Sequence, residues 1–251
     1  MHQSLLIIKH YLLRSLFDPL NTAVLLLLPL ALLVANTLLG QAFGIDFEDI
    51  MVLSSTTMFV MCVFQLFSPL QHYYLFSDFQ ASMRFRLYSA PVSKTKFVLS
   101  MGIAGWLYSV FIGLFFIVIT SVIFNVQWGS ILVVLLVLFL LSVFAQLISI
   151  FLFFILPTRG AADAGVLVVG WGTLILSGGM VNIGSNAVTD FLGMYGTPVS
   201  LGGWAIFSAS FPDADLPNMA TPLLYLIILT AVVVVFAVIT VIAGKLCKKE
   251  I

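Results

Sequence analysis

The feature that most restricts this chain is a set of six apolar runs, at 21–39, 50–74, 98–124, 131–156, 164–183 and 222–246. Each approaches or exceeds the length of about twenty residues that carries a helix across the hydrocarbon core of a bilayer. Backbone N–H and C=O groups in lipid must bond within their own segment, so runs of this kind are expected to be helical. The expected fold is therefore all-α, a polytopic membrane protein with six transmembrane helices. Composition agrees: 62% of the 251 residues are hydrophobic and only 8% are charged. Polar side chains at that level cannot cover a water-soluble body of this size.

The charges set an orientation. All ten Lys and Arg residues fall before the first run, in 76–97, in the 157–163 link or at the C-terminal end. Asp18, Asp78, Asp163 and Glu250 accompany them, whereas the other connections hold Asp46, Glu48, Asp49, Asp190, Asp213 and Asp215 with no basic residue. An even number of spans places both termini on one side, and the cations make that side cytoplasmic. The expected location is the cell membrane, multi-pass, with both termini inside.

The connections differ in character. Residues 1–20 form an amphipathic N-terminal segment: Leu5, Ile8, Leu12 and Leu16 recur on one face, with Gln3, His10, Arg14 and Asp18 opposite. An in-plane interfacial helix is expected there. The first apolar run begins only after about twenty residues and has no small-x-small cleavage site, so no cleaved signal peptide is expected. After the first two spans, which fill 21–75, residues 76–97 carry Arg84, Arg86, Lys94 and Lys96 against Asp78 alone. Within that loop Phe79, Met83 and Leu87 stand four apart, which predicts a short cytoplasmic helix with one apolar edge, ended by Pro91. Such a peg suits the docking of a partner; an ordinary positive-inside loop is the plainer alternative. Three spans fill 98–183. Residues 184–221 then combine Phe191, Trp204, Phe207 and Phe211 with Gly193, Gly196, Pro198, Gly202 and Gly203 as breakers, which predicts two short re-entrant segments forming an outer cap. The sixth span and a cytoplasmic tail occupy 222–251.

Polar residues inside the runs are informative because hydrocarbon cannot solvate them. Ser54, Thr57, Gln65, Ser68 and His72 fall on one narrow arc of the second span. A polar stripe must face protein or water, so it is expected to line a translocation path or a subunit interface; the alternative is hydroxyls bonding back to their own helix. Ser142, Gln146 and Ser149 form a shorter stripe on the fourth span. Gly102, Gly105, Ser109, Gly113 and Thr120 share a face of the third span, and Gly165, Gly172 and Gly179 one of the fifth, which predicts close helix packing.

Several chemistries lack their residues. No G-x-x-x-x-G-K-[ST], H-E-x-x-H or G-x-S-x-G stretch occurs, so no cofactor site, metal centre or hydrolytic nucleophile is expected in this chain. Cys62 and Cys247 have no metal-ligand or disulfide spacing. The spans hold no formal charge away from their ends, unlike ion-coupled carriers, which keep an ionisable group near the midplane. Energy for active transport would have to come from another chain.

The run Arg86-Leu87-Tyr88-Ser89-Ala90-Pro91-Val92-Ser93-Lys94, followed by the third span, resembles the cytosolic signature of ABC-type-2 exporter permeases. That signature has an acidic, Gly-containing stretch leading into Arg-Leu, small-Pro and small-basic residues. Asp78 stands here where Glu is common, Gln80 where a second acid often sits, and Ser82 where Gly is usual. The resemblance extends to the order of segments over nearly the whole chain. It implies a single transmembrane permease domain of the short type, lacking a large extracellular domain. Its partners would be a second permease subunit, the same or homologous, and two ATP-binding subunits that hold ATP and magnesium. Asp78, Phe79, Met83, Arg84, Arg86, Leu87 and Pro91 would form the coupling surface. Ser54, Thr57, Gln65, Ser68 and His72 would line the path. This chain would be a transport subunit, not an enzyme, in contact with membrane lipid and with no nucleic acid.

A path with hydroxyl, amide and imidazole groups but no fixed charge favours an amphipathic or hydrophobic cargo. Short permeases of this kind act in export of, or resistance to, peptide antibiotics and drugs. Lipid-linked glycans and sodium are alternatives within the family. A membrane-embedded interaction or sensory subunit that transports nothing is the rival from another class.

Overall fold

The structure is a computed structural model, and it describes residues 2–42, 50–68, 94–156, 158–177, 186–212 and 219–246. Among the described residues it is all-helical, with nine helices and no strand. In chain order they are α1 (His2–Leu16), α2 (Pro19–Ala42), α3 (Ile50–Phe67), α4 (Lys94–Phe124), α5 (Ile131–Ile155), α6 (Arg159–Leu176), α7 (Ala187–Tyr195), α8 (Pro198–Ser210) and α9 (Pro222–Leu246). Three of them, α4, α5 and α9, are long and apolar enough to cross a membrane, which marks a membrane-embedded protein by length and composition. The apolar stretches described in the other three expected spans are shorter, at Leu25–Ala35, Val52–Phe67 and Gly160–Leu176. The expected second and fifth spans continue beyond the described residues at 69–74 and 178–183.

Two helices organise the bundle. α3 touches α2, α4, α5, α6 and α8, and α5 touches α3, α4, α6, α8 and α9. From Val60 to Phe67 every α3 residue is buried, as is Ser68 just past its end, as expected of a helix apolar on nearly all sides and surrounded by protein. The outer faces of α4, α5 and α9 expose large apolar side chains such as Phe111, Val122, Leu132 and Val235. In water that would be a liability, whereas against lipid tails it carries no penalty.

α1 packs mainly along the start of α4. Its buried residues are Tyr11 and Ser15, with Tyr11 edge-on to Phe97 at 5.8 Å. Ile7 and Ile8 join the same cluster, whereas Leu5 is 59% exposed. Leu12 and Leu16 pack against the main core, so of the Leu5–Ile8–Leu12–Leu16 line only Leu5 turns away from protein. Leu6, Leu13 and Phe17 point the opposite way and are exposed, so α1 is apolar on two sides, and hydropathy alone could not choose between them. The helix ends before Pro19, which opens α2 at a position where its missing N–H breaks no helical bond.

Between α6 and α9 two short helices appear where two short segments were expected. Each has a built N-terminus: the Asn186 side chain accepts from Val188 N (3.0 Å) and Thr189 N (2.9 Å), and Thr197 Oγ1 accepts from Ser200 N (3.0 Å) with Pro198 following. α8 is buried for most of its length against α3, α5 and α9. Gly202 and Gly203 were expected to break this segment, and they do not. They lie mid-helix, where a Cβ on Gly202 would come within 2.9 Å of Val137 Cγ1 and one on Gly203 within 2.5 Å of the Phe59 ring. Their small size lets the α8 backbone approach α3 and α5.

Candidate functional site

The expected coupling residues Asp78, Phe79, Met83, Arg84, Arg86, Leu87 and Pro91 lie outside the described residues, as do His72 and Gly179. What the structure does bring together is a buried polar cluster where α3, α4 and α5 meet.

Each helix supplies its members by spacing. α3 places Gln65 and Ser68 one turn apart, and α5 places Ser142 and Gln146 at i and i+4. α4 sets Gly105, Ser109 and Gly113 on one face at intervals of four. Ser109 Oγ donates to Gln65 Oε1 at 2.5 Å, and Ser142 Oγ donates to the same oxygen at 3.1 Å. The two hydroxyl oxygens are 3.2 Å apart. One turn further along, Gln146 Nε2 lies 3.5 Å from Ser68 Oγ as a long hydrogen bond. All five side chains are buried.

The glycines make room for the amides. A Cβ on Gly105 would stand 2.5 Å from Gln146 Oε1, and one on Gly113 would collide with Gln65 Nε2 and a Leu138 methyl group. The small face of α4 is therefore seated on two glutamines rather than on another apolar ridge. A small cavity of about 20 Å³, about one water in size, lies beside Gln65, Ser68 and Ser109, with Pro29 of α2 on its far wall.

The remaining described members of the α3 stripe find partners outside this cluster. Thr57 Oγ1 donates to Leu53 O of its own helix at 2.7 Å. Ser54 Oγ accepts from Gln127 N at 3.1 Å and so ties α3 to the turn between α4 and α5, where Asn125 and Gly129 adopt positive φ. The four described residues of the stripe thus turn into their own chain's interior. Of the remaining packing positions, a Cβ on Gly165 would lie 3.2 Å from a Leu152 methyl group, and one on Gly172 would have nothing within 4 Å.

The cluster contains only hydroxyls and amides, with no titratable side chain among its members. In a low-dielectric interior such a network holds helices in register and does not move protons at neutral pH. Among the described residues no group of three or more His, Cys, Asp or Glu side chains could hold a metal ion. Sequence reading found the three stripes separately; their meeting is a tertiary fact, signalled only by the shared four-residue spacing of Gly105–Ser109–Gly113 and Ser142–Gln146. Comparison with protein-family models, with curated proteins and with solved structures found no match in any of the three.

Proposed function

We propose that this chain is the membrane-spanning subunit of an ATP-driven exporter of the ABC-2 type, with six spans and both termini in the cytoplasm, moving an amphipathic or hydrophobic cargo. The observation that carries the reading is the confinement of every Lys and Arg to the N-terminal segment, 76–97, the 157–163 link and the C-terminal end, which six spans would put on one side, together with the Arg86–Lys94 run. Arg84 and Arg86 would offer charge-assisted hydrogen bonds to a separate ATP-binding subunit, while Phe79, Met83 and Leu87 provide an apolar anchor.

The helical framework supplies a route for the resulting force. α4 starts at Lys94, within that segment, and runs 31 residues, about 45 Å at helical rise. A displacement of its first turns would pass along a stiff rod to Ser109, and from there to Gln65 of α3 through the 2.5 Å hydrogen bond. In this reading the polar cluster is the joint that makes α3 follow α4, and the α3 stripe is shut against its own chain in the present form.

The test is co-expression with an ATP-binding subunit carrying a Walker motif, scored by copurification in mild detergent and by ATP-dependent export of a fluorescent amphipathic peptide. Arg86→Glu should leave membrane insertion intact and abolish export. Full export by that variant, or failure of the unaltered chain to recruit any nucleotide-hydrolysing subunit, overturns the reading.

A further inference from the structure

Pro29 interrupts the hydrogen bonding of α2 from within. It has no N–H to give to the carbonyl of Leu25, one turn earlier, and its ring stands where that N–H would have pointed. The freed carbonyl and the ring therefore share one side of α2. Leu25 and Pro29 are both buried on that side, and both line the cavity of about 20 Å³ that separates α2 from Gln65 and Ser68.

The two side chains facing them have donors to spare. Gln65 is 5% exposed, and its Oε1 already accepts from Ser109 and Ser142, yet its Nε2 donates to no acceptor among the described residues. That nitrogen is placed by Gly113, another residue of the cavity wall, where a built Cβ would collide with it. Ser68 is buried as well. Its Oγ accepts a long bond from Gln146 at 3.5 Å, while its own O–H is directed to no acceptor among the described residues.

Buried donors and a buried acceptor left apart are costly, and here they border one space. What they require is a molecule that accepts on the α3 side and donates on the α2 side. A water does this: it accepts from Gln65 Nε2 and Ser68 Oγ and donates to the Leu25 carbonyl, about the three hydrogen bonds usual for an internal water. The volume admits nothing much larger. Inward-pointing N–H and O–H groups repel a cation, and no positive side chain lines the cavity to hold an anion. Ser109, on the same wall, lies thirteen residues beyond Lys96, about 20 Å along α4, so the site is deep in an apolar segment. Ordered water is one of the ways in which carbonyls freed by a membrane proline are satisfied.

We infer that the junction of α2, α3 and α4 binds a single internal water, which joins the Leu25 carbonyl at the Pro29 break to Gln65 and Ser68. It extends the polar cluster to a fourth helix through an exchangeable molecule. The site is built by one chain and requires neither a partner ATPase nor transport.

The test follows the Gln65 side-chain amide by NMR in the full-length, perdeuterated protein in nanodiscs, with its signal assigned as the one lost on Gln65→Leu. Magnetisation is transferred from water at mildly acidic pH, where amide protons exchange slowly with solvent. The unaltered chain should give NOE and ROE peaks of opposite sign between water and the Gln65 Nε2 protons, the signature of a held molecule. Pro29→Leu returns an N–H to the Leu25 carbonyl and puts a larger side chain into a space of one water, so both peaks should vanish. Leu25→Phe fills the same space without touching the proline and should have the same effect. Absence of the peaks in the unaltered chain means a dry cavity and overturns the inference. Peaks of like sign mean proton exchange with solvent that reaches Gln65 from outside, and overturn it as well. Peaks that survive either filling variant arise from the serine hydroxyls, which both variants retain, and overturn it too.

Discussion

Gly105 of α4 faces Gln146 of α5 so closely that a methyl group on its Cα would come within 2.5 Å of Gln146 Oε1. The contact is between a bare backbone and the end of a buried amide, which has little freedom to retreat because its Nε2 is directed at Ser68. Gly105→Val should therefore force the two helices apart or displace the amide, at a cost of about 1–3 kcal/mol typical of overpacked interiors. Gly113→Val should behave alike, since its built Cβ collides with both Gln65 and Leu138. Thermal unfolding in detergent checks this: both variants should melt several degrees lower.

Gly172 provides the contrast. It belongs to a small-residue face by spacing, yet nothing lies within 4 Å of a Cβ built there. Gly172→Ala should thus gain helix propensity, up to about 1 kcal/mol, and raise the melting temperature of the isolated chain. If the variant is instead less stable only when the chain is self-associated, the face packs between copies. Melting curves at dilute and concentrated protein separate the two outcomes.

Ser109 and Ser142 share one acceptor, and this makes their effects non-additive. Ser109→Ala leaves Gln65 Oε1 the Ser142 hydroxyl, and Ser142→Ala leaves it Ser109. The double variant strips the buried carbonyl of both donors. Interhelical hydrogen bonds in membrane proteins average about 0.6 kcal/mol, so each single change should be mild. The double change should exceed their sum by about 1 kcal/mol, the cost of an unsatisfied buried acceptor. Unfolding of the four proteins by a denaturing detergent supplies the cycle; strict additivity would show that the cluster is not a unit.

The contrast between these residues and α1 shows what could be read from the chain and what could not. Helix boundaries were legible where apolarity begins and ends at a turn or a proline: α5 and α9 match their expected runs within a residue, and α4 begins four residues early at Lys94. Orientation of a helix about its own axis was far less legible. Lipid and protein interior are both apolar, so Leu6 and Leu13 of α1, which face outward, look no different from Ile7 and Ile8, which pack inward. Polar residues escape that ambiguity, and the α3 stripe was correspondingly clear. Even so, its partners could not be read, because the pairing of Gln65 with Ser109 joins residues 44 apart. Glycine was the most deceptive letter: Gly202 and Gly203 suggest a break by local propensity, and only the nearness of Phe59 and Val137 explains their place inside α8.

The proposed six-span arrangement makes a prediction independent of any partner. Cations at Lys94, Lys96 and Arg159 should lie on the cytoplasmic side, and the acids at Asp46, Asp190 and Asp213 on the other. With Cys62 and Cys247 first replaced by serine, single cysteines at 94 and at 190 can be challenged in intact cells with a membrane-impermeant maleimide. The residue at 190 should label at once, and that at 94 only after the membrane is opened. The decision rests on a pair of sites rather than one because α4 and α5 must both cross for Lys94 and Arg159 to share a side. Labelling of position 94 from outside would reverse the orientation and remove the 76–97 segment from reach of any cytoplasmic ATPase. Labelling of both positions from one side would require an even number of crossings between them and would break the six-span count.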